Sequence, residues 1–226
     1  MNVKKISLIS LIALAVALCV FSINAAVKAS VSPKTQLTVV LDAGHGGIDG
    51  GVTGISTKVK ESDLNLEIVK ELKAVLEQSG IRVVLTRSTK SGLYGSSGKG
   101  FKRRDMEKRK EIINSCSANA FVSIHLNFYS SPDRRGAQAF FKSGDENGEA
   151  FASIIQKHLN ELSGQTRPLS PLKGDYYVLN ESEPTATLVE CGFLSNAEDE
   201  ALLLTKEYRR EIAEKIALGI KEMLFS

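Results

Sequence analysis

Apolar positions change their period several times along this chain, and each change marks an element. After residue 30 the first continuous apolar run is Leu37–Leu41, which stops at Asp42 and gives way to the glycine-rich turn Gly44-His45-Gly46-Gly47-Ile48-Asp49. Such a run predicts a buried strand, and the glycines predict a backbone that turns tightly or lets another group come close. Leu64, Ile68, Leu72, Val75 and Leu76 then recur at helical spacing until Gly80, and the β-branched run Ile81–Thr86 follows. Strand, helix and strand in succession predict a parallel βαβ unit.

Further along, Ser88–Gly100 is rich in Ser, Gly and Lys and predicts a loop. Met106, Ile112 and Ile113 give a partial apolar face to a helix that starts near Phe101 and ends near Cys116, a residue expected in the core. Ala120–Asn127 predicts a second buried strand and Gly136–Lys142 another. Phe151, Ile154, Ile155, Leu159 and Leu162 predict a helix over Gly148–Leu162. After a proline-bearing loop, Gly164–Gly174, a short edge strand is expected at Tyr176–Leu179 and a β-rich run at Thr185–Glu190. A short helix from Asn196 or Ala197 and an amphipathic one over Lys206–Leu224 complete the chain. The pattern predicts a single three-layer α/β domain, with no internal repeat.

The first residues belong to a different class. Lys4-Lys5 precedes an apolar run from Ile6 to about Phe21, and Val27-Lys28-Ala29 offers a cleavage site before Ser30. This is the layout of a secretory signal; the alternative is an uncleaved membrane anchor, since Ile6–Val27 is nearly long enough to span a bilayer. Cys19 is a poor lipoprotein site because bulky Leu18 precedes it. The expected organisation is a leader over 1–29, a linker over 30–37 and one domain over 38–226, with membrane contact only through the leader. The net charge of +3 equals the leader's three lysines, so the body is balanced and bulk charge does not point to nucleic acid. Its two cysteines, Cys116 and Cys191, are no disulfide scaffold.

Candidate chemistry starts from the glycine turn. A phosphate cradle is excluded, because Asp49 stands where the dinucleotide fingerprint needs its last glycine and no helix opens before Glu61. The cluster Lys102, Arg103, Arg104, Lys108, Arg109 and Lys110 reads either as a solvated helix face or as a basic rim for an anionic polymer, with the neighbouring loop as a lid. His158 stands alone on its helix and is expected to be a surface or satisfied structural histidine. Two strands end in histidine, His45 and His125, one ends in Glu190, and Glu61 lies at the mouth of the first helix. In a largely parallel sheet these ends converge on one edge. Two imidazoles and a carboxylate make a common catalytic zinc set, and a second carboxylate can move the proton of an attacking water. Taken singly, Glu61 could instead serve the helix dipole, Glu190 a salt bridge, and the histidines nothing in common.

The motifs DAGHGG around His45, KESDLNLEIV from Glu61, FVSIHLN around His125 and LVECGFLSN around Glu190 resemble those of zinc-dependent N-acetylmuramoyl-L-alanine amidases. The resemblance runs from about Thr38 to the C-terminus with the motifs in the family's order. It implies one zinc held by His45, Glu61 and His125, Glu190 as the catalytic carboxylate, and peptidoglycan glycan strands with stem peptides as substrate. The implied fold is a twisted, mostly parallel sheet of about six strands with helices on both faces. GSSGKGFKRRDMEKRKEIIN, RRGAQAFF and the lack of a wall-binding module further resemble the germination-specific, spore-cortex branch. That branch implies stem-peptide removal toward muramic-δ-lactam, a location on the wall side in the forespore intermembrane space or cortex, and an accessory sporulation protein as partner. Two departures stand out: Ala43 replaces a common proline, and Cys191 follows the catalytic glutamate where an apolar residue is usual. The rival readings are a vegetative autolysin, a non-catalytic peptidoglycan-binding protein and a cysteine hydrolase pairing Cys191 with His125.

Overall fold

The computed structural model describes residues 36–226; the predicted leader over 1–29 and nearly all of the linker over 30–37 lie outside them. Six strands form one sheet: β1 (Thr38–Ala43), β2 (Arg82–Leu85), β3 (Ala120–Asn127), β4 (Gln138–Phe141), β5 (Leu172–Lys173) and β6 (Thr185–Phe193). Their order is β2-β1-β3-β6-β4-β5. β2, β1, β3 and β6 run parallel, while β4 is antiparallel to β6 and carries β5 alongside it. The helices are α1 (Glu61–Gln78), α2 (Phe101–Asn114), α3 (Glu146–Leu159), α4 (Tyr177–Asn180), α5 (Ala197–Leu204) and α6 (Lys206–Phe225).

Strand alternation sorts the side chains into two cores. Val39, Leu41, Ala43, Val122, Ile124, Val189 and Cys191 face the layer of α1, α3 and α6, where Leu72, Phe151, Ile155 and Ile216 are buried with them. Val40, Phe121, Ala186 and Leu188 face the other way, toward Ile113 of α2 and Val178 and Leu179 of α4. Burying each such aliphatic side chain contributes about 1.5–3 kcal/mol, so the larger layer carries most of the stability. The smaller layer is thin, and it leaves room at the sheet's carboxyl edge.

Register decides what stands at that edge. Val40, Phe121 and Ala186 lie in one row and Asp42, Ser123 and Leu188 in the next. One further step along, His125 pairs with Glu190, and Glu190 with Gln138 of β4. The period of two therefore puts His125 and Glu190 on the thinly covered face. A register shift between His125 and Asn127 ends the regular pairing there.

Two boundaries differ from the expectation. Tyr176–Leu179 is not an edge strand: Tyr177–Asn180 is the short helix α4, closed by bonds from the amides of Leu179 and Asn180 to the Tyr176 carbonyl. The edge strand is Leu172–Lys173, inside the segment expected to be loop. A four-residue apolar stretch does not distinguish the two periods. Cys116 is half-buried against the smaller core, not inside it, and both body cysteines are free. Among the described residues no helix is long and apolar enough to cross a membrane.

Candidate active site

The turn after β1 is built to present His45. His45 has φ +61, in the left-handed region that costs a non-glycine residue on the order of 1–3 kcal/mol. The surrounding backbone holds it there. Gly44 donates to the Ile124 carbonyl at 3.0 Å, Gly46 and Asp49 exchange bonds of 2.8 and 3.2 Å, and Gly47 donates to Lys90 at 2.7 Å. Two buried arginines collect the carbonyls that point inward. Arg87 donates to Ala43 (2.8 Å), Gly44 (3.0 Å) and Ser62 (2.8 Å). Arg109 donates to the carbonyls of Ala43 (2.9 Å) and His45 (2.5 Å), and to the carboxylates of Asp42 and Asp105.

Asp42 is consequently part of β1 and not its stop. Burial would raise its pKa, but Arg109, Thr86, His125 and Ser123 outweigh burial and hold it below the usual carboxylate range. Arg109 corrects the reading of the basic cluster, because it lies fully buried on neither a solvated face nor a rim. Arg103, Lys108 and Lys110 pair with Glu107, Glu111 and Glu181, as a solvated face would. Arg104 gathers carbonyls of the Ser/Gly loop, and Lys102 stands near Asp49 at 3.9 Å.

Glu61, at the start of α1, meets both histidines. Its Oε1 lies 2.9 Å from His125 Nδ1 and 3.3 Å from His45 Nε2. The same oxygen accepts from the amide of Leu126 (3.1 Å) and from Asn65 (3.2 Å), and Oε2 accepts from the Val52 amide (2.9 Å). Asp49 takes the other ring nitrogen of His45 at 3.1 Å. One donor atom from each of His45, Glu61 and His125 falls within 4.8 Å of the others, the span of a metal site. Two glycines make the approach possible: a Cβ on Gly44 would stand 2.2 Å from the His125 ring, and one on Gly51 2.3 Å from Glu61 Oε2.

Glu190 is treated oppositely. It is buried beside His125 across the strand pair, and its Oε2 has no hydrogen-bond partner. Burial pushes its pKa up to about 7, with the histidines pulling down and Glu61 pushing further up. Glu61, equally buried, is driven well below the usual range because its bonds to His125 and His45 outweigh desolvation. Burial disfavours the His45 cation, yet Asp49 and Glu61 win and raise it to about 9.

The four sequence-predicted residues thus come to one edge: three converge, and Glu190 stands beside them as the unpaired acid. The remaining expectations divide. His158 stands 2.8 Å from Glu222 through Nε2, but its buried Nδ1 has no hydrogen-bond partner, so it is only half satisfied. Cys191 points to the opposite side of the sheet, wholly buried in the larger core with its thiol pushed well up by burial, which removes the cysteine-hydrolase reading. Arg87 and Asn65 have no place in the sequence reading, Asp49 enters it only as the break in a phosphate-cradle motif, and Arg109 is read there as one of the basic cluster. Its position three residues after Met106 and four before Ile113 is the signal that puts it on the inward face of α2.

A family described as N-acetylmuramoyl-L-alanine amidase matches residues 39–222. The germination-specific N-acetylmuramoyl-L-alanine amidase of Bacillus subtilis is 35% identical over 204 residues, covering 88% of this chain and 85% of that one. Among solved structures, the CwlD amidase of Clostridioides difficile, in complex with the GerS lipoprotein, is 36% identical with a TM-score of 0.79, over 84% of this chain and 98% of that one. The catalytic domain of the amidase CwlV from Bacillus (Paenibacillus) polymyxa is 33% identical with a TM-score of 0.74, over the same shares of each.

Proposed function

The chain belongs to the N-acetylmuramoyl-L-alanine amidase family, and from that premise we propose how its residues divide the work. The reaction is hydrolysis of the amide between N-acetylmuramic acid and L-alanine of the peptidoglycan stem peptide. His45, Glu61 and His125 hold one zinc ion. Three observations support the fit: two imidazole nitrogens and a carboxylate oxygen converge within 4.8 Å, the far side of His45 rests on Asp49, and an unpaired buried carboxylate stands alongside. Zinc supplies a Lewis acid that polarises an amide carbonyl and acidifies water. Glu190 takes the proton of the attacking water and delivers it to the leaving alanine nitrogen. A buried carboxyl with no hydrogen-bond partner accepts a proton readily and can pass it on, which serves both halves of that transfer. The observation that carries this reading is the contrast between the fully bonded Glu61 and the orphaned Glu190 on one sheet edge.

Residues 38–226 form the catalytic domain, and the leader over 1–29 exports or anchors it so that it acts on the wall side of the membrane. The likeness to a germination-specific relative, spanning most of both chains, supports spore cortex as the wall attacked and muramic-δ-lactam as the destination of the stripped muramic acid. A related amidase solved with a lipoprotein supports an accessory protein that positions or activates this one. Muropeptide analysis of cortex made without the protein tests the role. Loss of δ-lactam is expected, and δ-lactam at normal abundance contradicts it.

A further inference from the structure

Two depressions of opposite character flank the histidine turn. The first is a slot of about 200 Å³ that His45 and His125 help to line. Tyr94 and Phe101, in edge contact with ring centres 5.5 Å apart, enter it from the α2 side, and Tyr176 and Tyr177 from the start of α4. The buried Val178 and Leu188 complete its apolar lining. The cations that reach it are both met by acids: Arg109 lies between Asp42 and Asp105, and Lys102 stands near Asp49, which also pairs with His45. The slot is therefore aromatic and carries no excess of positive charge.

The second depression is lined by Gly47, two residues from His45, and by Lys58, Lys60 and Lys90 with a single acid, Asp63. Asp63 is engaged by Lys90 at 3.1 Å, and Lys60 has no ion pair among the described residues. This groove is cationic and open. Residues of the turn that carries His45 therefore line both depressions, Gly44, His45 and Asp49 the first and Gly47 the second.

The bond cut by an amidase of this kind joins two unlike halves. On one side is an acylated aminosugar, uncharged, with a C–H face and a methyl group. On the other is a peptide that carries free carboxylates. Aromatic walls suit the first, and lysine ammonium groups suit the second. Resting on the amidase reading, we propose that substrate crosses the histidine turn in one direction. The muramic acid ring enters the aromatic slot, and the stem peptide's carboxylates lie over Lys58, Lys60 and Lys90. The reverse placement would strip water from carboxylates against tyrosine and phenylalanine rings, where the two cations already face acids of the slot.

Two substrates separate the halves: a muramoyl-peptide, and the same peptide carrying only the lactoyl group. Tyr177 is 41% exposed, so Tyr177→Ala disturbs little but the slot. It should lower the muramoyl-to-lactoyl ratio of kcat/KM about tenfold at unchanged zinc content. The double variant Lys58→Ala/Lys60→Ala should instead weaken both substrates about equally and flatten the dependence on salt. Inhibition of the wild type by a peptide-free glycan fragment supplies a second readout, and Tyr177→Ala should weaken it about tenfold. The proposal is overturned if the lysine variant changes the ratio while Tyr177→Ala leaves both the ratio and the inhibition intact. The amidase reading fails separately, if zinc-loaded wild type releases peptide from neither substrate.

Discussion

Glu61 and Glu190 are the same residue type, both almost wholly buried, at the same edge of one sheet. Around Glu61 the chain supplies two backbone amides, an asparagine and two imidazoles. Around Glu190 one carboxylate oxygen is left without any partner. The first environment fixes a permanent anion in place; the second makes charge costly and a proton easy to accept. Pushing two neighbouring carboxyls apart in this way is how a protein assigns one to binding and the other to proton transfer.

Removing the bonded member should have the largest effect. Glu61→Ala, or His125→Ala, should lose zinc and with it turnover, by a factor of about 10⁴ or more, read by metal analysis and peptide release on the purified variants. A variant with full zinc but no turnover would move Glu61 out of the ligand set. Next comes the lattice behind the turn. Arg109→Met leaves Asp42 and Asp105 buried without their cation, and denaturant unfolding should show a loss of about 3–5 kcal/mol. A loss below about 1 kcal/mol would place Arg109 at the surface, as its sequence neighbours suggested.

The comparison is sharpest in the metal-free protein, where the two glutamates should respond to neutralisation with opposite signs. Glu61 has a depressed pKa, so its carboxylate stabilises the fold above the ordinary range and that stability is lost as pH falls. Glu190 is raised from 4.5 to about 7, so ionising it costs stability, increasingly as pH climbs through that window and fully above it. At pH 8, Glu190→Gln should therefore stabilise the chelated protein by on the order of a few kcal/mol, and Glu61→Gln should destabilise it. Equal signs in thermal unfolding would erase the distinction. The smallest effect is expected at the support for His45: Asp49→Asn should weaken zinc binding about 10- to 100-fold, measured by competition with a chelator.

Much of this was legible in the sequence, for identifiable reasons. Strand-end histidines, a strand-end glutamate and helical periodicity after Glu61 point to the βαβ order and to the four side chains that the fold brings to one edge, because period-two runs and glycine turns leave local traces. Tyr176–Leu179 misled, since four apolar residues carry no period. Arg109 was hidden for another reason. It sits among exposed lysines and arginines, and only its alignment with Met106 and Ile113 betrays an inward face, while the carbonyls it collects come from the turn some sixty residues earlier. Nothing local could show that Glu190 lacks a partner; that is a property of the thin helical layer above it.

The division of labour is tested most directly by Glu190→Gln in the zinc-loaded enzyme, with metal content and release of stem peptide measured on the same preparation. A full complement of one zinc and a rate reduced about 10²- to 10⁴-fold is the predicted result. Undiminished turnover, or loss of the zinc, would contradict it.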